Sequence, residues 1–197
     1  IQKERNFTMK NILKIIILNA FILLSMGSFA KDSNNFIIET NRGIITIEVY
    51  PEKAPKTVEN FKKYVEAGFY NDLIFHRVIQ NFMVQGGGFD ENMMQKETRN
   101  PIINESTNRL KNKAYTLAMA RTNEPNSATS QFFINLVDNA FLNYSGTSSS
   151  KAGYCVFGSV IDGKDIVDKI GKFKTRLKNG FNDVPIKNIV IKSIKQR

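Results

Sequence analysis

The sequence predicts a mainly β fold: a closed or nearly closed antiparallel barrel carrying two α-helices. Three observations lead there. Short segments that alternate apolar and polar residues recur along the chain, and only two stretches carry an apolar helical stripe. Many short strands with few helices are best satisfied by a barrel, since closure removes exposed edges. The chain has 197 residues, 42% of them hydrophobic and 11% aromatic, which suits one folded unit with a sizeable core.

The elements follow in order. FIIETNRGIITIEVY (36–50) reads as a β-hairpin, with Ile45, Ile47 and Val49 alternating against Thr46, Glu48 and Tyr50 after a Thr-Asn-Arg-Gly turn. EKAPKTVENFKKYVEAGFY (52–70) reads as a helix. Pro55 suits its first turn, Val58, Phe61 and Val65 line one face, and Gly68 stops it. Turn-rich polar text from Phe89 to Asn112 precedes three strand-like runs, AYTLAMA, SQFFINL and YCVFGSVI. SGTSSSKAG (145–153), between the last two, reads as a flexible surface loop. A second helix fits DGKDIVDKIG, with Ile166, Val167 and Ile170 inward and Gly171 at its end, and PIKNIVIKSIK alternates as a last strand. No internal repeat is visible.

The first 30 residues are read apart from that unit. From Met9 the order is basic (MKNILK), apolar (IIILNAFILLSMGS) and small (SFA), which is the order of a secretory signal, with Ser28 and Ala30 at the two small positions before a cut. The apolar run contains Asn19 and is shorter than the roughly 20 residues of a spanning helix. Residues 9–30 are therefore expected to be a signal peptide and residues 1–8 an upstream extension or artefact. The expected location is exported, in a bacterial periplasm, with no membrane attachment after cleavage.

Composition also limits the chemistry. The net charge is +10, and residues 1–30 hold four basic and one acidic side chain, so the remainder carries +7. The excess lies in scattered lysines such as Lys164, Lys169, Lys172, Lys174 and Lys178, a solvated face and not a nucleic-acid groove. One histidine and one cysteine preclude an ordinary zinc site, and no loop has calcium spacing. Cys155 is expected to be a small buried hydrophobe. The Gly-x-Ser-x-Gly elbow of serine hydrolases is missing. Gly86, Gly87 and Gly88 lack the Lys-Ser/Thr sequel of a phosphate loop, so tight strand packing is the better reading.

Residues 75–87, FHRVIQNFMVQGG, are the most informative stretch. Strand alternation puts His76 and Arg77 on opposite faces, which rules out a simple acid-base dyad. Phe75, Arg77 and Ile79 share a side, Met83 and Gln85 share a side, and Phe82 stands at the strand's entrance. These residues alone fit equally well a surface arginine over a core Phe82–Met83 pair, or a site.

The longer pattern resembles a known family. F-H-R-x-x-x-x-F-x-x-Q-G-G, followed by MARTNEPNSATSQFFINL, NAFLNY and YCVFGSVIDG, is similar to the cyclophilin family of peptidyl-prolyl cis-trans isomerases over residues 36–195, and SATSQFFIN resembles its bacterial exported branch. The resemblance implies an eight-stranded antiparallel barrel closed by two helices, formed by residues 31–197. It makes Arg77 the catalytic arginine, and Phe82, Met83, Phe133 and Leu142 the walls of a proline pocket. Gln85 becomes a contact to the substrate backbone, and Ala120, Arg121 and Gln131 the strip that holds the residues before the proline. Phe141 falls where many members carry tryptophan, a departure that bears on cyclosporin binding. Tyr144 falls roughly where many carry histidine, and Arg121 replaces a common asparagine. His76 is expected to make a structural hydrogen bond. The expected partners are proline-containing segments of unfolded or partly folded proteins, with no cofactor, no metal and a monomeric state. A proline-segment binder or chaperone using the same groove without turnover is the alternative.

Overall fold

The computed structural model describes residues 33–197, so the stretch read as a signal peptide and its upstream extension lie outside the described residues. The first hairpin pairs β1 (Asn35–Thr40) with β2 (Gly43–Val49). Its turn is tied by the Thr40 hydroxyl, which donates to the Gly43 carbonyl at 2.7 Å and accepts from the Arg42 amide at 2.9 Å. Phe36, Ile38, Ile45, Ile47 and Val49 are buried at the alternating positions the pattern requires.

Helix α1 (Pro55–Glu66) follows, opened by Pro55 and closed where Gly68 takes φ +59°. Its core-facing stripe is Val58, Phe61 and Tyr64, while Val65, expected on that face, packs only partly against the core. The helix lacks a capping side chain of its own. Glu105 supplies one from the polar 89–112 stretch, accepting from the Lys56 and Thr57 amides (3.1 and 2.8 Å) and from the Thr57 hydroxyl (2.7 Å).

The remaining elements are β3 (Arg77–Ile79), β4 (Met83–Gly86), β5 (Thr116–Met119), β6 (Phe132–Asn135), β7 (Val156–Asp162), helix α2 (Lys164–Gly171), β8 (Thr175–Lys178), β9 (Phe181–Pro185) and β10 (Ile191–Gln196). Eight strands form one antiparallel sheet in the order β10-β1-β2-β7-β5-β6-β4-β3. The sheet curls until its ends meet. Phe75 donates its amide to the Ile189 carbonyl at 2.9 Å and Ile191 donates to Leu73 at 2.7 Å, joining the run-up to β3 with the run-up to β10. From α1, Phe61 packs edge-on against Phe36 of β1 and Phe132 of β6 (ring centroids 5.3 and 6.0 Å apart), while α2 buries Val167 and Ile170. The architecture is the eight-stranded barrel with two helices that the sequence predicts.

Two readings need correction. PIKNIVIKSIK is not one strand: Pro185 ends β9, residues 186–190 cross over, and only Ile191 onward pairs with β1. The β8–β9 hairpin was also missed. Its signal is Asn179-Gly180, both at positive φ (+51° and +82°), as a tight two-residue hairpin turn demands. Loop 145–153 lies at the surface as expected, and backbone hydrogen bonds link Ser145 and Gly146 to Lys151.

Candidate active site

Alternation gives the sheet two faces with different tasks. Val78, Val84, Leu117, Met119, Phe132 and Ile134 turn toward the main core with α1 and α2. On the opposite face Met83, Ala118, Phe133, Leu142 and Val156 form a separate buried cluster, with Ile79, Phe82, Ala120 and Tyr154 packed against it. Strand register aligns the functional side chains across this second face. Arg77 of β3 stands directly opposite Gln85 of β4, Gln85 opposite Phe133 of β6, and Phe133 opposite Ala118 of β5.

Arg77, Gln85 and Phe133 of this row border a cavity of about 190 Å³, lined also by Phe82, Met83, Ala120, Arg121, Leu142 and Tyr154. Its lining combines aromatic rings, a methionine and a leucine with two arginines and a glutamine. A polar recess of about 340 Å³ adjoins it, sharing Gln85, Ala120 and Arg121 and adding Gln131 and Thr129. Gln85 donates to the Gln131 side-chain carbonyl at 2.9 Å, joining the two depressions. A Cβ at Gly88 would lie 2.5 Å from the Gln131 side chain, and one at Gly86 would lie 2.7 Å from the Phe75 ring. These glycines serve close packing, as the sequence suggests.

The two arginines differ in what they hold. Arg121 donates from Nε to the Gly153 carbonyl (2.9 Å), from Nη1 to Thr122 (2.8 Å) and from Nη2 to Ser149 (3.1 Å), with its guanidinium 4.6 Å from the Tyr154 ring centre. It fastens loop 145–153 to the groove. Among the described residues the Arg77 side chain makes no hydrogen bond; its one charged neighbour is Asp183, whose Oδ2 lies 3.6 Å from Nε. The always-charged guanidinium thus borders the cavity with its N–H groups unclaimed by any hydrogen bond among the described residues.

His76 points the other way, as alternation requires. It is buried, with its ring 4.7 Å from that of Phe89. Burial pulls its pKa down to about 4, and its Nδ1 has no hydrogen-bond partner among the described residues. Neutral at physiological pH and sealed from the groove, it takes no part in proton transfer there. Cys155 is buried as expected, and burial pushes its thiol up to about 11.

Comparison with known proteins decides the family. Residues 35–196 match the cyclophilin type peptidyl-prolyl cis-trans isomerases. The chain belongs to this family. Peptidyl-prolyl cis-trans isomerase B of Escherichia coli (strain K12) is 56% identical over 155 residues, covering 79% of this chain and 94% of the relative. Peptidyl-prolyl cis-trans isomerase A of Dickeya dadantii (strain 3937) is 46% identical over 187 residues, 92% of this chain and 97% of the relative. The cyclophilin type isomerase of Cryptosporidium parvum, crystallised in the presence of the dipeptide Ala-Pro, matches with a TM-score of 0.68 at 27% identity, over 83% of this chain and 98% of that one. The chain is an enzyme of the peptidyl-prolyl cis-trans isomerase class.

Within the cyclophilin groove, most of the residues singled out from sequence come together. Arg77, Phe82, Met83, Gln85, Ala120, Arg121, Phe133 and Leu142 line the first cavity and Gln131 the second. Phe141 is 73% exposed and stacks on Phe82 (5.6 Å, 27°), extending the lip of the cavity. Tyr144 does not line it. The chain enters loop 145–153 at Tyr144, whose backbone lies against Gly153, and returns to the groove only at Tyr154. Tyr154 therefore fills the place expected of Tyr144, its ring edge-on to Phe133 at 5.7 Å. The resemblance puts the groove tyrosine before loop 145–153, at Tyr144, whereas in the structure the tyrosine that lines the cavity follows the loop.

A set of buried amides holds the walls from behind. Asn139 donates to the Phe82 carbonyl (3.0 Å) and to the Asn135 side chain (2.7 Å). Asn135 donates to Asn112 Oδ1 (3.3 Å) and Thr116 Oγ1 (2.9 Å), and Asn112 donates to the Leu142 carbonyl (3.1 Å). Two opposite walls, Phe82 and Leu142, hang on one network. Asparagine in a β-rich sequence reads as a turn residue, so nothing in the text marked it.

Proposed function

We propose that Arg77 drives rotation about X-Pro peptide bonds by donating to the proline nitrogen as the amide twists, in proline-containing segments of unfolded or partly folded exported proteins. The observation that carries this reading is the Arg77 guanidinium, beside an apolar cavity with its donors unclaimed by protein acceptors among the described residues. Planar, the amide nitrogen shares its lone pair with the carbonyl and accepts nothing; that sharing makes rotation cost roughly 18 to 20 kcal/mol. Twisted, it regains the pair and becomes an acceptor. A donor fixed there binds the twisted state better than the planar one, which is differential binding of the kind that raises a rate.

A charged hydrogen bond is worth about 1.5–3 kcal/mol in ordinary settings, whereas a rate gain of about 10⁵ needs roughly 7 kcal/mol. The rest is assigned to the setting. Phe82, Met83, Phe133 and Leu142 hold the pyrrolidine ring and exclude water, which strengthens the field of Arg77. Gln85 and the strip of Ala120, Arg121 and Gln131 hold the residues before the proline while the far side turns. The Ala-Pro dipeptide used with the Cryptosporidium parvum relative supports a proline ligand of this kind. Since no bond is broken, the mechanism calls for neither nucleophile nor cofactor.

A protease-coupled assay on a proline peptide tests the arginine. Arg77→Ala is expected to lower kcat/KM about 100-fold, equivalent to about 2.7 kcal/mol, with peptide affinity largely retained. Equal rates for variant and wild type, with binding intact in both, would leave the groove as a binding module and reject this route. The order of residues 9–30 supports export, and mature protein starting near Lys31 in a periplasmic fraction is the matching observation.

A further inference from the structure

We infer that Asp183, on the β8–β9 hairpin, is a positioning residue for Arg77, an inference that rests on the isomerase mechanism proposed above. Its Oδ2 lies 3.6 Å from Arg77 Nε, and no other carboxylate is paired with that guanidinium among the described residues. The contact is longer than a hydrogen bond and both side chains are partly exposed (41% and 37%), so it adds little to stability. Its consequence is directional. A carboxylate at the Nε edge biases the plane of the guanidinium and leaves the two terminal nitrogens for a substrate.

The hairpin is built to hold the carboxylate in place. Asp183 sits at φ +62°, in the left-handed region that aspartate and asparagine enter more readily than other non-glycine residues. Next to it Val184 is fully buried in a small cluster with Ile74, Phe89 and Met93. The far end of the hairpin is tied to residues 91–92: Lys178 Nζ donates to the Glu91 carbonyl at 2.6 Å and Asn179 Nδ2 to the Asn92 carbonyl at 3.1 Å. Ile74 and Phe89 flank the β3–β4 hairpin in sequence, so the hairpin that carries Asp183 packs on the segments that lead into and out of the one that carries Arg77.

Asp183→Asn and Asp183→Gly both remove the charge, and both residues tolerate the left-handed backbone, so the hairpin should keep its fold. Both variants are expected to lower kcat about five- to tenfold with KM within about twofold, because the lost alignment matters only in the twisted state. In the same samples the ¹⁵N relaxation of the Arg77 Nε–H group should report greater mobility, a change that general loosening of the hairpin would not confine to that side chain. Arg77→Ala, assayed alongside, separates the two claims. If Arg77→Ala shows its expected loss while either Asp183 variant keeps wild-type kcat, or if Arg77 stays as rigid as in the wild type, positioning by Asp183 is overturned and the mechanism stands. If Arg77→Ala itself keeps full activity, the underlying mechanism fails and takes this inference with it.

Discussion

Because a strand turns successive side chains to opposite faces, His76 and Arg77 serve different environments, although the arginine's charge adds a little to the burial that keeps the imidazole neutral. Burial keeps the imidazole neutral, with a folded pKa of about 4 against an ordinary 6.5. Between those values the unfolded chain binds a proton that the native state refuses, so stability is expected to fall as pH drops from 6.5 toward 4 and to be insensitive to this group above 6.5. At pH 4.5 the wild type should lose about 2 to 3 kcal/mol more than His76→Phe, measured by urea unfolding of both proteins at pH 7 and 4.5. Parallel loss in the two proteins would mean that carboxylates alone set the slope. At this scale the sequence was legible where residues are local to a strand: Arg77, Met83 and Gln85 lie on the face their spacing requires. It was illegible where a partner arrives from far along the chain. Asp183 meets Arg77 across more than a hundred positions, and Tyr154 displaces Tyr144 through a loop whose path no periodicity describes.

Elements show the same division. Helix α1 announced itself by Pro55, an apolar stripe and Gly68, yet what completes its N-terminus is Glu105, some fifty residues on and within text that reads only as turns. Glu105→Ala leaves two backbone amides and the Thr57 hydroxyl without their acceptor. It is expected to cost about 1 to 2 kcal/mol, seen as a lower thermal midpoint with kcat/KM unchanged at 25 °C. The β8–β9 hairpin had a legible turn in Asn179-Gly180, but its strands TRLK and FNDVP mix charge and apolar residues without clean alternation. Its exposed Leu177 and Phe181 show why: it lies outside the barrel sheet, so neither face had to be wholly apolar.

For the molecule as a whole, the barrel closes through residues 72–75 and 189–191, and every groove-lining residue lies between Arg77 and Tyr154. A chain that begins at Lys31 is therefore expected to match the full chain in kcat/KM within about twofold and to unfold in one transition, as the proline-peptide assay and a thermal scan would show. The barrel itself could be foreseen because alternation, turns and edge removal are rules about neighbouring residues. The amides at Asn112, Asn135 and Asn139 carry a different lesson. Asn139 donates to Asn135 and Asn135 donates to Asn112, so replacing one leaves its neighbours' polar groups unpaired, whereas replacing all three removes those donors and acceptors together. A single replacement in the trio is therefore expected to disturb the Phe82 and Leu142 walls together, whereas exchange of all three as a set spares them the orphaned amides.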